Sequence, residues 1–127
     1  MIILAVLFSC SQEPSDYVLL DYYELFKSEA EARGVKIPSF DLVMVFVDYE
    51  PKGYSGYCDC TNETKLIRIN KDSFDYAVSR ELDEVFIFHE LGHCVLNKEH
   101  GTGIMSKNIL RDYEERRKEY LDELFKL

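Results

Sequence analysis

The sequence predicts an α+β fold in which a small mixed β-sheet is accompanied by an N-terminal helix, a central helix and a C-terminal helix. Near both ends of the chain, apolar residues recur at three- and four-residue intervals, as they do in amphipathic helices. Between these segments lie β-branched apolar runs, which indicate strands, and then a segment that is apolar on nearly every side of a helix. The chain of 127 residues is long enough for one core and too short for two.

The charge of the chain limits the classes of partner. Hydrophobic residues make up 46% and charged residues 31%, which is typical of a soluble globular protein. With a net charge of -9, the chain has no basic stripe to neutralise phosphates, so we expect no binding to nucleic acid or directly to anionic lipid. We expect a monomer.

The first ten residues form a segment of a different kind. Residues 1–8 (MIILAVLF) are an uninterrupted apolar run, too short to span a membrane but of the length found in signal peptides. The sequence LFSC, which ends at Cys10, resembles the lipobox of bacterial lipoproteins, whose cysteine is acylated. We therefore predict a lipoprotein signal peptide over 1–10 with lipidation at Cys10, a tether over 11–16 and a folded domain over 17–127. A buried N-terminal strand is the alternative.

Lipidation at Cys10 predicts a protein of the bacterial cell envelope, outside the cytoplasm and attached to the membrane only through its lipid. Disulfides form in that compartment, so a bridge from Cys94 to Cys58 or to Cys60 is expected, without a choice between the two. A metal clip made by Cys58 and Cys60 is a weaker alternative, because one residue between ligands is a tight spacing and no second pair follows.

The first helix is predicted from about Ser15 to Arg33, and Gly34 is placed to end it. The run from Asp41 to Tyr49 is β-branched and apolar throughout, as in a strand buried on both faces. Two shorter runs, from Tyr54 to Cys60 and from Lys65 to Asn70, are typical of a β-hairpin. Because the second of them alternates only partly between apolar and polar residues, we expect it near an edge of the sheet.

The central helix is predicted from Ser79, a favourable N-cap, to about Leu96. Its apolar sides place it in the centre of the domain, so the two histidines that it carries lie in the core. The last helix is predicted from Asn108 to Leu127. Its apolar side is formed by Ile109, Leu110, Tyr113, Tyr120, Leu121 and Leu124, and its exposed side by pairs such as Asp112 with Arg116 and Glu114 with Lys118.

Residues 89–93 (HELGH) carry the chemistry that the sequence predicts. His89 and His93 are four residues apart and therefore lie on one helix face, where both imidazoles can bind one Zn²⁺ at about 2.0–2.1 Å. Glu90 is rotated by about 100° from His89, and its carboxylate can take the proton of a zinc-bound water that attacks a peptide carbonyl. The pattern predicts peptide-bond hydrolysis with Glu90 as general base. Two satisfied core histidines beside a surface glutamate are the alternative.

A catalytic zinc needs a third protein ligand. His100 follows His93 by seven residues, and a continuous helix would carry it about 10.5 Å along the axis, too far to share the metal. The helix must therefore end between them, and Asn97 is suited to the left-handed position that ends helices. A glutamate of the last helix, Glu114 or Glu115, is the alternative third ligand, as in gluzincin peptidases.

Residues 89–105 (HELGHCVLNKEHGTGIM) resemble the metzincin zinc peptidases, whose pattern His-Glu-x-x-His-x-x-Gly-x-x-His precedes a methionine-containing turn. The resemblance implies a minimal metzincin-like fold, with the three histidines as zinc ligands, Glu90 as general base and Met105 as the turn methionine. The chain departs from the pattern by one extra residue between the last two histidines and by Asn97 in place of glycine.

The resemblance also implies a place for the substrate. In metzincins the strand before the active-site helix is an edge that pairs with an extended peptide, so we expect the backbone of four residues to do so here: Leu66, Ile67, Arg68 and Ile69. Lys107 stands where some metzincins have a tyrosine after the turn methionine, so the group that stabilises the oxyanion is unassigned, with Tyr113 as one candidate.

The predicted function is zinc-dependent hydrolysis of a peptide or protein substrate by a lipid-anchored, extracytoplasmic metallopeptidase. The alternatives are a gluzincin-type peptidase that uses Glu114 or Glu115, a non-catalytic surface lipoprotein stabilised by a structural zinc, and a lipoprotein interaction module without metal. A structural zinc site has no need of Glu90, so this residue separates the two peptidase types from the non-catalytic lipoprotein with a structural zinc.

Overall fold

The computed structural model describes residues 16–39, 41–48, 56–59, 64–71 and 80–126. Within these ranges the fold is a mixture of helices and a small mixed sheet, as predicted. In chain order the elements are α1 (Tyr17–Ala32), β1 (Asp41–Val47), β2 (Gly56–Asp59), β3 (Thr64–Asn70), α2 (Arg80–Cys94), a 3₁₀ turn (Gly103–Met105) and α3 (Tyr113–Leu124). None of the helices in these ranges is both long enough and apolar enough to cross a membrane.

The sheet has the order β1-β3-β2, so β3 is its central strand. β3 runs parallel to β1, with Met44 beside Ile67, and antiparallel to β2, with Cys58 opposite Ile67. The predicted hairpin of β2 and β3 is confirmed. The prediction of an edge strand is wrong, because β1 pairs with the side of β3 that the hairpin leaves open. The four residues expected to bind a peptide backbone are paired on both sides: Leu66, Ile67, Arg68 and Ile69.

The core lies between the three helices and one face of the sheet. In β1 only Met44 is fully buried, and Leu42 and Phe46 pack beside it from alternate positions, which share a face. The prediction that this strand is buried on both faces is therefore not confirmed. Besides Cys94 and Tyr113, the fully buried core residues of the three helices are Leu19, Phe26, Ala30, Ile87, Phe88, Leu91, Leu121 and Leu124. Since α2 supplies three of them and contacts both other helices, its predicted central place is confirmed.

The helix boundaries follow local signals. Asp16 caps α1, its Oδ1 accepting from the Val18 amide at 3.0 Å, and Gly34 follows the helix with a φ of 74°. α3 begins later than predicted, at Tyr113, which leaves Ile109 outside the helix and 73% exposed. The predicted N-cap Ser79 and the predicted lipidation site Cys10 lie outside the described residues.

A disulfide joins Cys58 of β2 to Cys94, the last residue of α2, with a Cα–Cα distance of 5.8 Å. This is one of the two pairings that the sequence left open. Because Cys58 is bonded to Cys94, it is not part of a metal clip with Cys60, which lies outside the described residues. The bridge attaches the edge strand to the helix next to His93.

Candidate metal centre

The structure gathers the three predicted histidine ligands. His89 and His93 lie one turn apart on α2, with ring centroids 4.7 Å apart. The ring of His100 is 5.1 Å from that of His89 and 4.6 Å from that of His93. One nitrogen of each ring lies within 4.8 Å of the others, so the three side chains can hold one metal ion. Among the described residues, no carboxylate belongs to this group, and Glu114 and Glu115 are exposed on α3.

The chain reverses direction where the sequence analysis placed the turn. Asn97 has a φ of 57° and is the one non-glycine residue with positive φ in the described ranges. Beyond it, the Lys98 amide donates back to the Gly92 carbonyl at 3.0 Å. His100 therefore returns toward the face of α2 that carries the other two histidines, and the prediction about Asn97 is confirmed.

The Nδ1 atoms of the two helix histidines both face backbone carbonyls. His89 Nδ1 donates to the Ile104 oxygen at 2.6 Å, and His93 Nδ1 donates to the Lys98 oxygen at 2.6 Å. A carbonyl oxygen can only accept, so each Nδ1 carries a proton. In a neutral imidazole the Nε2 atom then has a free lone pair, which is the form that binds a metal.

The two Nε2 atoms face each other at 3.2 Å. Since neither carries a proton when both rings are neutral, this contact is not a hydrogen bond, and the two lone pairs repel each other. Two nitrogens bound to one tetrahedral zinc at about 2.0–2.1 Å are separated by about 3.3 Å. The spacing of the two nitrogens therefore fits a shared metal ion, which removes the repulsion.

The electrostatic surroundings favour neutral rings. Burial lowers the pKa of His89, and the charges of His93 and His100 lower it further, against the opposite effect of the Ile104 carbonyl. The pKa of His100 is lowered by partial desolvation of its ring and by the nearby His93 and Lys107. Both shifts favour the form of the ring that can bind a metal.

The 3₁₀ turn Gly103–Met105 packs under α2. Met105 is 5% exposed, and a Cβ added at Gly92 would overlap its Sδ atom. Glycine at position 92 therefore allows the turn to approach the helix closely enough for the Ile104 carbonyl to reach His89. This placement agrees with the turn that the resemblance implies, while the role of Met105 stays a prediction.

Glu90, the predicted general base, directly follows His89 on α2 and is 7% exposed. Tyr113, the candidate for the oxyanion, has a different use: its hydroxyl is buried and donates to Glu84 Oε2 at 2.9 Å. That candidate is wrong, because Glu84 lies more than a turn before His89 on α2, in a contact between helices. The sequence also did not predict that the carbonyls of Lys98 and Ile104 orient two histidine rings, because a backbone carbonyl leaves no trace in the residue type.

Comparison of the chain with protein-family models, with curated proteins and with solved structures finds no match. The chemistry of the histidine cluster must therefore be inferred from its own residues and geometry.

Proposed function

We propose that this protein is a zinc-dependent peptidase of the metzincin-like type, in which the three clustered histidines hold the metal and Glu90 is the general base. The contact between the Nε2 atoms of His89 and His93 carries the proposal. Both rings are fixed by carbonyl acceptors in the tautomer that presents lone pairs to each other, an arrangement that favours a bound cation. A set of three imidazoles with an open fourth position is typical of catalytic zinc.

Zinc, when bound, supplies Lewis acidity at the open position of the site. The residues of the chain supply orientation and proton transfer. Glu90 follows a ligand on the same helix, and its enclosed carboxylate takes the proton of the water that attacks the peptide carbonyl. The same carboxyl group then gives a proton to the amine that leaves when the C–N bond breaks.

β3 is paired on both sides and therefore does not bind the substrate backbone in this proposal. β2 (Gly56–Asp59) is the terminal strand of the sheet on the side of α2, to which the Cys58–Cys94 disulfide attaches it. The disulfide also supports the proposed extracytoplasmic location, because such bonds persist in oxidising compartments. Lipidation at Cys10 remains part of the proposal.

The experiment compares wild type with Glu90→Gln for zinc content and for cleavage of a mixture of unstructured peptides, followed by mass spectrometry. We expect one zinc per chain in both proteins, and a loss of cleavage of at least about a hundredfold in the variant, the usual contribution of a general base. Glu115→Gln, an exposed change on α3, is the control. Unreduced cleavage in Glu90→Gln would contradict the proposed mechanism. Zinc binding without any cleavage by wild type would favour the structural zinc site.

The third ligand is tested by measuring zinc affinity in competition with a chelator. His100→Ala should weaken zinc binding by more than about a hundredfold, because loss of a partner outside the ligand set already costs about 10–100-fold. Glu114→Gln should bind zinc as wild type does, since that side chain is exposed on α3. The reverse pattern would favour the gluzincin type.

A further inference from the structure

The loop from Asn97 to Ser106 supplies three groups to the metal centre. It carries the ring of His100, and its Lys98 and Ile104 carbonyls accept from the other two histidines. A shift of this loop would therefore move one ligand and release the rings of the other two. Whatever fixes the loop also fixes the site.

Glu123, near the end of α3, meets this loop at three points. Its Oε1 accepts a hydrogen bond from the Thr102 hydroxyl. Its backbone oxygen accepts from Lys98 Nζ at 3.5 Å. Gly103 approaches so closely, with a φ of 62°, that an added Cβ would lie 2.8 Å from Glu123 Oε2. Only glycine fits this approach without strain.

Hydrogen bonds within the loop connect the residues that contact Glu123 to the residues of the metal site. The Gly101 amide donates to the Met105 carbonyl and the Ser106 amide to the Gly103 carbonyl, both at 3.0 Å, which closes the segment into a compact turn. His100 and Ile104 flank the residues of this turn that touch Glu123. A cavity of about 210 Å³ separates part of the loop from α3, and Lys98, Thr102, Met105, Glu123 and Leu124 are among its lining residues. Ile104 and Met105 of the loop pack in the core with Leu121 and Leu124 of α3, whereas the polar contacts of Glu123 hold the exposed part of the loop around Thr102.

We propose that Glu123 is a positioning residue for the metal centre: its carboxylate, bonded to Thr102 and seated against Gly103, holds the loop that presents His100. The proposal rests on the proposed metal site but not on peptidase activity. Because Glu123 is exposed and acts through the loop, we expect a graded effect on metal affinity.

The test measures zinc affinity by competition with a chromophoric chelator, and the visible absorption spectrum of the Co²⁺-loaded protein. Glu123→Ala should weaken zinc binding about five- to tenfold, the net value of one typical intramolecular hydrogen bond, and should change the Co²⁺ spectrum. Glu123→Gln should restore most of the affinity, since its amide oxygen still accepts from Thr102. Thr102→Val, which removes the same hydrogen bond from the loop side, should resemble Glu123→Ala.

Glu119→Ala is the matched control, because Glu119 is exposed on the same helix and bonds to Arg116. It should leave zinc affinity and the Co²⁺ spectrum unchanged. In a His100→Ala background, Glu123→Ala should cause a smaller further loss of zinc affinity, since part of the proposed effect passes through His100. Wild-type affinity in both Glu123→Ala and Thr102→Val, or an undiminished loss in the His100→Ala background, would overturn the proposal. Failure of wild type to bind zinc would overturn the metal site with it, whereas zinc binding without hydrolysis would leave it standing.

Discussion

The left-handed backbone of Asn97 controls where the third histidine lies. A left-handed conformation costs an ordinary L-residue about 1–2 kcal/mol, and asparagine tolerates it better than most because its short polar side chain can bond locally. The metzincin pattern has glycine near this point, and here asparagine adopts the backbone that glycine would adopt, with a φ of 57°.

Replacing Asn97 tests this argument. Asn97→Ala should lower the free energy of unfolding by about 1 kcal/mol, because alanine must adopt the left-handed backbone without that compensation. Asn97→Gly should be nearly neutral, since glycine has no Cβ to clash. Both values are obtained from denaturant unfolding of the zinc-free protein. Asn108→Ala, an exposed loop change without positive φ, should have no effect, and an Asn97→Ala variant as stable as wild type would contradict the argument.

At the residue scale, the sequence predicts those parts of the site that are made by side chains, because their chemistry is visible in the residue type. The spacing of His89, His93 and His100 led to the cluster, and the need for a turn led to Asn97. The carbonyls that orient two of the rings could not be found in this way, because every residue has a carbonyl and only the folded loop selects those of Lys98 and Ile104.

At the scale of elements, the sequence misplaced β3 in the sheet. Its partial alternation came from Lys65 and Arg68, which read as residues of an exposed edge. In the structure Lys65 Nζ donates to the Cys94 carbonyl at 2.8 Å and so stabilises the C-terminal end of α2, where a cation is favourable. The presence of the charged Lys65 in a central strand is thus explained by its hydrogen bond to the end of α2. Parallel pairing with β1 joins segments distant in sequence, which a local pattern does not reveal.

The Cys58–Cys94 disulfide should contribute to stability and to the metal site together. Closing a chain segment with a sequence separation of 36 lowers the entropy of the unfolded chain by the equivalent of about 4 kcal/mol. The double variant Cys58→Ser, Cys94→Ser should lose about that much in free energy of unfolding. It should also bind zinc more weakly, because β2 no longer holds the helix end beside His93.

Denaturant unfolding and zinc competition under non-reducing conditions measure the two effects. Cys60→Ser is the control, since it removes a cysteine and leaves the Cys58–Cys94 bridge in place. It should match wild type in both measurements. An equal loss of stability in Cys60→Ser would contradict the pairing, and would indicate that Cys60 forms the bridge instead.

At the scale of the whole molecule, a partly buried network of charges joins the three helices. Glu84 of α2 accepts from Arg117 of α3 at 2.6 and 2.9 Å, and Arg117 reaches Glu29 of α1 at 3.3 Å. Glu29 is bonded in turn to Arg33 at 2.6 Å. The Tyr113 hydroxyl donates a further hydrogen bond to the Glu84 carboxylate. A buried carboxylate is tolerated because it is paired and hydrogen-bonded in this way, and the network fixes α2, and hence two of the ligands, relative to α1 and α3.

The pH dependence of stability should report this network through Tyr113. Burial and the charge of Glu84 raise its pKa above the ordinary value near 10, so the folded protein keeps the phenol proton after the unfolded chain has lost it. The unfolded state then binds fewer protons, and stability falls as pH rises above about 10. Below that pH, the free energy of unfolding of wild type should exceed that of Tyr113→Phe by about 1.5–3 kcal/mol, the value of a hydrogen bond to a charged group. Denaturant unfolding between about pH 8 and 11 should show this difference shrinking, with the exposed Tyr17→Phe as a control for loss of a hydroxyl. A difference that stays constant across the range would contradict the assignment of Tyr113 to the network.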